Sequence, residues 1–429
     1  MTLPPGPPRP HLGHTAGWVT RPGPYTRRLR HQYGDTFTVH VDRRLPWVMV
    51  SHPDDVKRVF TGDPNVLHAG EGNSILKPLL GAKSVLLLDG PAHMAERKAM
   101  LPSFHGERMQ AYGELIRDIA EREVASWPTG MIATRPRTQA LTLEVIMRAV
   151  FGSRDDRLRA GLARMLDALG SQPLLMFAVL APPREVFRLF NRYRAPIDVL
   201  LDELITTRRA AADLEQREDI LSLLLAHTDM DDASLRDELL TLLAAGHETT
   251  ATALAWALER LAHHPEAWAR LRTGDDDYLD AVCKETLRLR PVVPGVIRAL
   301  KAPFEIGGYE LPEGVAVVPN ILLVHTREDV YPDPFAFRPE RFLETPAGTY
   351  TWIPFGGGVR RCLGASFALF EMKAVLRAVA AAISELAPAG RSERPARRAV
   401  TLVPGHEGRI IVARRAAPAP RAQPVPAGR

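Results

Sequence analysis

The sequence predicts a mainly α-helical protein with small β-sheets. Three observations carry that expectation. The longest periodic stretch, from Asp232 to His263, places Leu239, Leu242, Leu243, Gly246, Thr250, Ala253, Leu254, Ala257 and Leu261 at three- and four-residue spacing, as on a helix. It is apolar on several sides, so it should be central and buried. Shorter helical patterns occupy most of the rest: from Pro53 to Phe60, a helix opening after Pro91, 107–126, 138–151, 197–210, 220–227, 276–289 and 365–386. Strand-like runs, in contrast, are brief. Phe37–Val41 and Trp47–Val50 read as two strands of a small sheet. Tyr309–Pro319 reads as a hairpin around Pro312–Gly314, and Thr401–Val412 as a final hairpin.

Composition narrows the class. The 429 residues are 45% hydrophobic, as expected of a globular protein with a large buried core. Cys283 and Cys362 are the two cysteines, far apart in sequence, which gives neither a disulfide framework nor a zinc cluster and suits a reducing compartment such as the cytoplasm. The net charge of +5 comes mainly through arginine, without a nucleic-acid-binding motif, so a docking face for an acidic protein is the expected use of the charge. The proline-rich start, residues 1–10, holds no apolar run long enough for a signal peptide or membrane span. The Pro/Ala/Arg-rich tail, 416–429, reads as disordered, leaving 1–415 as one catalytic domain.

One stretch carries the chemistry: Phe355-Gly356-Gly357-Gly358-Val359-Arg360-Arg361-Cys362-Leu363-Gly364. Glycines, a basic pair and a lone cysteine lead into a helix-forming segment. A cysteine at a helix N-terminus is favoured as thiolate by the backbone N–H groups and the helix dipole. A soft anionic sulfur on a rigid loop is a good axial ligand for haem iron, and glycines let backbone approach a flat macrocycle. The alternative is a buried structural cysteine beside a Gly-rich turn.

A second local inconsistency lies in the long helix, whose midpoint reads Ala245-Gly246-His247-Glu248-Thr249-Thr250. Glycine, an acid and two β-branched hydroxyl residues are poor choices for a buried helix interior. The Thr249 hydroxyl can bond back to the Ala245 carbonyl and open the helix locally. A kink without chemistry is the alternative. Glu285 and Arg288, three apart, share a helix face and are followed by Pro339-Glu340-Arg341-Phe342.

Together these motifs resemble cytochromes P450. Phe355, Gly358, Arg360, Cys362 and Gly364 fill every position of that family's cysteine-ligand loop, and the resemblance runs from about Pro4 to about Arg415. It implies the cytochrome P450 fold, haem b as cofactor, and Cys362 as axial ligand to its iron. Phe355, Gly356 and Gly364 would surround the ligand, with Ala245 and Gly246 on the oxygen side. Thr249 and Glu248 would match the acid–threonine pair that delivers protons to bound oxygen. His93, Arg97, Arg298 and Arg360 would hold the haem propionates, and Glu285, Arg288 and Arg341 would form a structural network behind the haem. Leu76, Leu80, Phe177, Leu180, Ala245, Val293, Val296 and Leu402 would line the substrate pocket, with the apolar region 172–194 as a mobile lid.

The implied activity is monooxygenation: one atom of O2 enters a C–H or C=C bond of a small lipophilic substrate, such as a terpenoid, steroid, fatty acid or polyketide. Electrons would come from an acidic ferredoxin- or flavodoxin-type donor with its reductase. Family members bound to membranes carry an anchor before such a proline-rich hinge; this chain begins at the hinge, so a soluble, bacterial, monomeric protein is expected. A haem-thiolate gas sensor and a peroxide-driven peroxygenase are the competing readings, and the acid–threonine pair argues for O2 use.

Overall fold

The computed structural model describes residues 3–8, 11–41, 45–104, 106, 108–170 and 183–414. The expectations for Phe177, Leu180 and the 416–429 tail lie outside the described residues. The chain opens with helices α1 (His11–Thr20) and α2 (Pro22–Tyr33), then strands β1 (Thr36–Val39) and β2 (Trp47–Val50) and helix α3 (Pro53–Thr61). Next come β3 (Leu67–His68), the short helices α4 (Ala69–Gly72) and α5 (Lys77–Leu80), and α6 (Gly90–Met100). A helical block follows: α7 (Arg108–Ala125), then strand β4 (Gly130–Ala133), α8 (Thr134–Ala149), α9 (Asp156–Leu169), α10 (Pro183–Arg209), α11 (Ile220–His227), α12 (Asp232–Ala262), α13 (Pro265–Leu271) and α14 (Asp276–Leu289). The remainder is β5 (Arg298–Leu300), β6 (Phe304–Ile306), β7 (Tyr309–Leu311), β8 (Ala316–Pro319), α15 (Ile321–Val324), α16 (Arg341–Glu344), α17 (Ala365–Ala382), β9 (Ile383–Pro388), β10 (Pro395–Arg398), β11 (Thr401–Pro404) and β12 (Arg409–Arg414).

The 31-residue α12 forms the axis, as its periodicity predicts. Asp231 caps it by accepting from the Ser234 N–H at 2.8 Å. Leu254, Ala255, Trp256, Ala257 and Leu258 are all fully buried, so its second half is enclosed all round. Packed on it are α8, α10, α14 and α17, and the largest apolar core runs through these helices. A second core lies between the five-stranded sheet and α3. That sheet has the order β1-β2-β8-β5-β3, with β2 and β8 parallel and the other pairs antiparallel.

Three local expectations are corrected. The 197–210 helix is the second half of a longer one, because α10 continues through Pro196. Tyr309–Leu311 does not pair with Ala316–Pro319. It pairs with Phe304–Ile306 across Gly307 and Gly308, whose φ of +57° and +79° suit a tight hairpin turn, while β8 joins the large sheet. Thr401–Val412 is likewise no hairpin: β11 pairs with β10, and β12 lies between β4 and β9. In both cases the first strand pairs with the strand just before it, and the second joins partners farther away in sequence.

Candidate active site

Three elements converge on Cys362. The first is its own loop, which the Cys362 N–H closes by donating to the Phe355 carbonyl at 2.9 Å. The glycines have separate duties. A Cβ on Gly358 would sit 1.9 Å from the Phe60 carbonyl oxygen of α3, and one on Gly357 would strike the Phe60 ring. These two therefore let α3 press on the loop. Gly356, at φ +65°, and Gly364 have only distant neighbours, at 3.9 and 4.0 Å, so they leave an open cradle beside the sulfur. Phe355 stacks edge-on against Trp352, at 5.9 Å between ring centroids.

Cys362 is accessible at its surface although it lies deep within the protein, a combination that marks the lining of an internal cleft. Burial pushes its thiol above the ordinary value, opposed by the Gly364 N–H and by the charges of Arg97 and Arg361. The loop's backbone N–H and the two guanidinium groups thus act against the cost of burying a thiolate there.

The second element is α6 with β5. His93 is buried, and burial together with the Arg360 and Arg97 charges pushes it down to about 4, so it is neutral at pH 7. Arg298 is 6% exposed; burial and the neighbouring Arg360 push it down to about 10. Its one hydrogen bond here is to the Ile297 carbonyl, at 2.9 Å. Burial also lowers Arg97, which the Cys362 sulfur favours as a cation. Among the described residues, neither Arg97 nor Arg298 has a carboxylate partner. Arg298 is buried and Arg97 half-buried, with Asp89 acting on Arg298 only from a distance, and cations so placed suit an anionic ligand. Arg360 differs. Its guanidinium donates to Asp89 at 2.6 Å and to the Leu88 and Val85 carbonyls at 2.5 and 3.2 Å, which commits it to the 85–89 segment. Asp89 also accepts from the N–H groups of Gly70 and Glu71.

The third element is the midpoint of α12. The Thr249 hydroxyl donates to the Ala245 carbonyl. Ala245 is exposed and Gly246, Glu248 and Thr249 are half-buried, in contrast with the sealed turns that follow. Glu248 points to α8, not into open space. It accepts from Gln139 at 2.7 Å and Arg135 at 3.2 Å, and Arg398 of β10 lies 3.8 Å away. Arg135 is itself held by Glu407 at 2.5 Å. His247 is buried against the Thr142 hydroxyl at 2.8 Å and pushed down to about 4 by burial.

Behind the cleft, the fully buried Glu285 and Arg288 pair at 2.6 Å, and the Arg341 guanidinium donates to the same carboxylate at 3.2 Å. Arg288 also donates to the carbonyls of His325, Pro334 and Ala336. His325 accepts from the Ile353 N–H at 2.8 Å, which carries the network to the start of the Cys loop. Burial holds His325 near 3, so its ring is neutral and can accept.

Of the expected pocket residues, Ala245, Leu76, Val293 and Val296 are at least partly exposed. Leu80 and Leu402 are packed away, at 2% and 3% exposure, and Leu402 is pinned by its N–H to the Val292 carbonyl and its carbonyl to the Trp256 indole. Those two belong to the packing, not to an open wall. Sequence reasoning missed Asp89, Arg135, Gln139, His325 and Arg398. Only the aspartate before Gly90-Pro91 carried a local signal, as a helix-start residue.

Comparisons with known proteins give the family and the fold. The family model described as Cytochrome P450 matches residues 4–381. Cytochrome P450 135B1 of Mycobacterium tuberculosis is 42% identical over 96% of this chain and 92% of its own length, and cytochrome P450 135A1 of the same species 38% over 96% of each. Among solved structures, the retinoic acid-bound cyanobacterial CYP120A1 superposes with TM-score 0.83 at 25% identity, covering 96% of this chain and all of that one. The cytochrome P450DA haem domain gives the same TM-score at 23% identity, a likeness of fold. The chain belongs to the cytochrome P450 family of haem-thiolate monooxygenases.

Proposed function

We propose that this chain binds haem b with Cys362 as its sole protein ligand and uses O2 to hydroxylate or epoxidise a small lipophilic substrate. The donor set fits the cofactor: a deep-lying but accessible sulfur beside an open glycine cradle, and Arg97 and Arg298, which bond to no carboxylate among the described residues, with His93 for the propionates. When bound, haem supplies oxygen activation and hydrogen abstraction. The protein's own residues do the rest. Arg97 and Arg361 favour the thiolate form of Cys362. Thr249 holds its hydroxyl at the Ala245 carbonyl, where it can accept or relay a proton at the open midpoint of α12. Glu248 sits one residue before it, as the acid that restores that proton through water once it turns from Arg135.

The observation that carries monooxygenation over gas sensing is the Thr249–Ala245 hydrogen bond in the interrupted half of a buried helix. A sensor needs Cys362 but has no use for that hydroxyl. A terpenoid-like substrate is the preferred class, in keeping with the retinoic acid of the cyanobacterial neighbour. The electron donor is an acidic ferredoxin or flavodoxin docking on the Cys362 side, where Arg361 is exposed. No helix among the described residues is long and apolar enough to cross a membrane.

The test is product formation from library compounds that shift the haem spectrum, with NADPH, ferredoxin and its reductase. Oxygenated product that requires O2 and both electron carriers supports the reading. Binding of CO without turnover of any such compound supports the sensor instead.

A further inference from the structure

Arg397 and Arg398 are neighbours on β10 and point to opposite sides of the strand. Arg398 meets acids, with Asp167 at 2.7 Å and Glu248 at 3.8 Å. Arg397 turns instead to α1 and is 6% exposed. Among the described residues it has no carboxylate partner, and burial alone pushes it down to about 10. Its guanidinium donates to the Trp18 carbonyl at 3.3 Å, a long bond for a charged donor. Closing the end of α1 in this way uses one of five N–H donors. The Arg397 Nε is buried and, among the described residues, has no acceptor.

A second donor waits at the same ring. The Arg397 guanidinium lies 5.3 Å from the centre of the Trp18 ring, and the Trp47 ring of β2 meets Trp18 edge-on at 5.7 Å. The Trp47 indole N–H is also buried without an acceptor among the described residues. A buried donor left unpaired costs free energy, and a buried unpaired cation costs more. A carboxylate would satisfy both. The place is not the cleft. Val296 lies 3.9 Å from where a Cβ on Gly356 of the Cys loop would stand, and Arg298 is close to Arg360. Ile297, between them, packs the other way, into the apolar cluster of Trp18, Trp47, Met49 and Val318. Trp18 and Arg397 are thus behind the wall that carries Val296 and Arg298.

We propose that Arg397, with Trp18 and Trp47, is a receptor for the carboxylate of a lipophilic acid, at a site separate from the haem cleft. The guanidinium fork takes the carboxylate, the Trp47 N–H adds a donor, and the apolar rings take the adjoining chain. No haem chemistry enters this site, so the inference goes beyond the haem-thiolate reading and stands or falls apart from it.

The probe is decanoic acid, with methyl decanoate as its uncharged match. Both are titrated calorimetrically into the haem-loaded full chain with imidazole saturating the iron. The acid should bind about tenfold more tightly than the ester, as a charge-assisted bond implies. Arg397→Met should weaken the acid about tenfold and leave the ester unchanged. It should not lower the melting temperature measured without acid, because a buried unpaired charge is gone. Decanoic acid should raise the melting temperature of the parent and not of the variant. Equal binding of acid and ester, or a preference that survives Arg397→Met, overturns the proposal. So does a lower melting temperature in Arg397→Met with unchanged acid affinity, which would make the residue a cap of α1. Acid binding that imidazole abolishes would put the acid in the cleft and also overturns it. If Arg397→Met does not fold, Arg397→Lys decides. It keeps the charge and loses the fork, so the acid should weaken several-fold, and an unchanged affinity overturns the proposal.

Discussion

Arg298→Met tests whether the cations around Cys362 are reserved for an anionic ligand. Arg298 is buried on β5, with its guanidinium bonded to the Ile297 carbonyl and, among the described residues, to no carboxylate. Burial first and the Arg360 charge second push it down to about 10. At pH 7 the group is charged in both folded and unfolded chains, so a lowered folded value is a penalty on the fold. That penalty is complete below about 10 and fades as pH rises toward the ordinary arginine range. At 1.36 kcal/mol per tenfold change in proton affinity it is of order 1–3 kcal/mol. Methionine keeps the apolar stem and removes the charge. Haem-free Arg298→Met should therefore resist urea better than the haem-free parent, by about 1–3 kcal/mol. The haem-loaded variant should show the opposite sign, losing haem to apomyoglobin faster than the parent. A variant with unchanged haem-free stability and unchanged haem retention would falsify the assignment of Arg298 as an uncompensated cation awaiting a propionate.

The remaining predictions concern other parts of the site. Cys362→Ser should abolish the thiolate signature of the reduced CO complex while Cys283→Ser, at a fully buried site on α14, keeps it; retention in both would sink the ligand assignment. Thr249→Ala should still bind haem and substrate but release more peroxide per product, as measured by NADPH, peroxide and product counts; unchanged coupling refutes its proton role. Arg361→Glu should slow the first electron from a ferredoxin, and salt should slow it in the parent, since screening acts over roughly 8–10 Å near physiological ionic strength; stopped-flow reduction that ignores both charge and salt argues against that docking face. Glu285→Gln should destabilise the fold by about 3–5 kcal/mol, because Arg288 and Arg341 lose a shared buried counter-charge; a melting temperature within a degree or two of the parent would contradict this.

What the sequence reveals depends on how local the cause is. The Cys loop, the α12 midpoint and α14, whose bounds match the expected 276–289, are written in residue identity and spacing. The back-bond from Thr249 to Ala245 is four residues long and follows from chain geometry alone. Glu248 shows the limit. Its place in the motif is legible, but its partners come from α8 and β10, and nothing near it in sequence announces Arg135 or Arg398. Arg360 is similar: its position suggests a propionate, whereas Asp89 and two carbonyls, some 270 residues earlier, take its hydrogen bonds. The two expected hairpins differ in cause: Gly307-Gly308 is a local turn signal that competes with Pro312–Gly314, whereas β12 finds partners that no local pattern names.

The start of α8 has a consequence for how the chain is made. No side chain caps this helix. Its first N–H groups, from Thr134 and Arg135, donate to the carbonyls of Gly408 and Glu407 at 3.2 and 3.0 Å, and the Thr134 hydroxyl joins Gly408 across 274 residues. During synthesis those donors have only water until nearly the last strand has emerged. Closing such a loop costs roughly 5 kcal/mol by the logarithmic scaling of loop entropy, and the helix end recovers it only with β12 in place beside β4. A nascent chain halted before Glu407 would carry a frayed α8, an open edge on β4, and an Arg135 without the acid that steadies it beside Glu248. Completion of the early half thus waits on the arrival of the last strand.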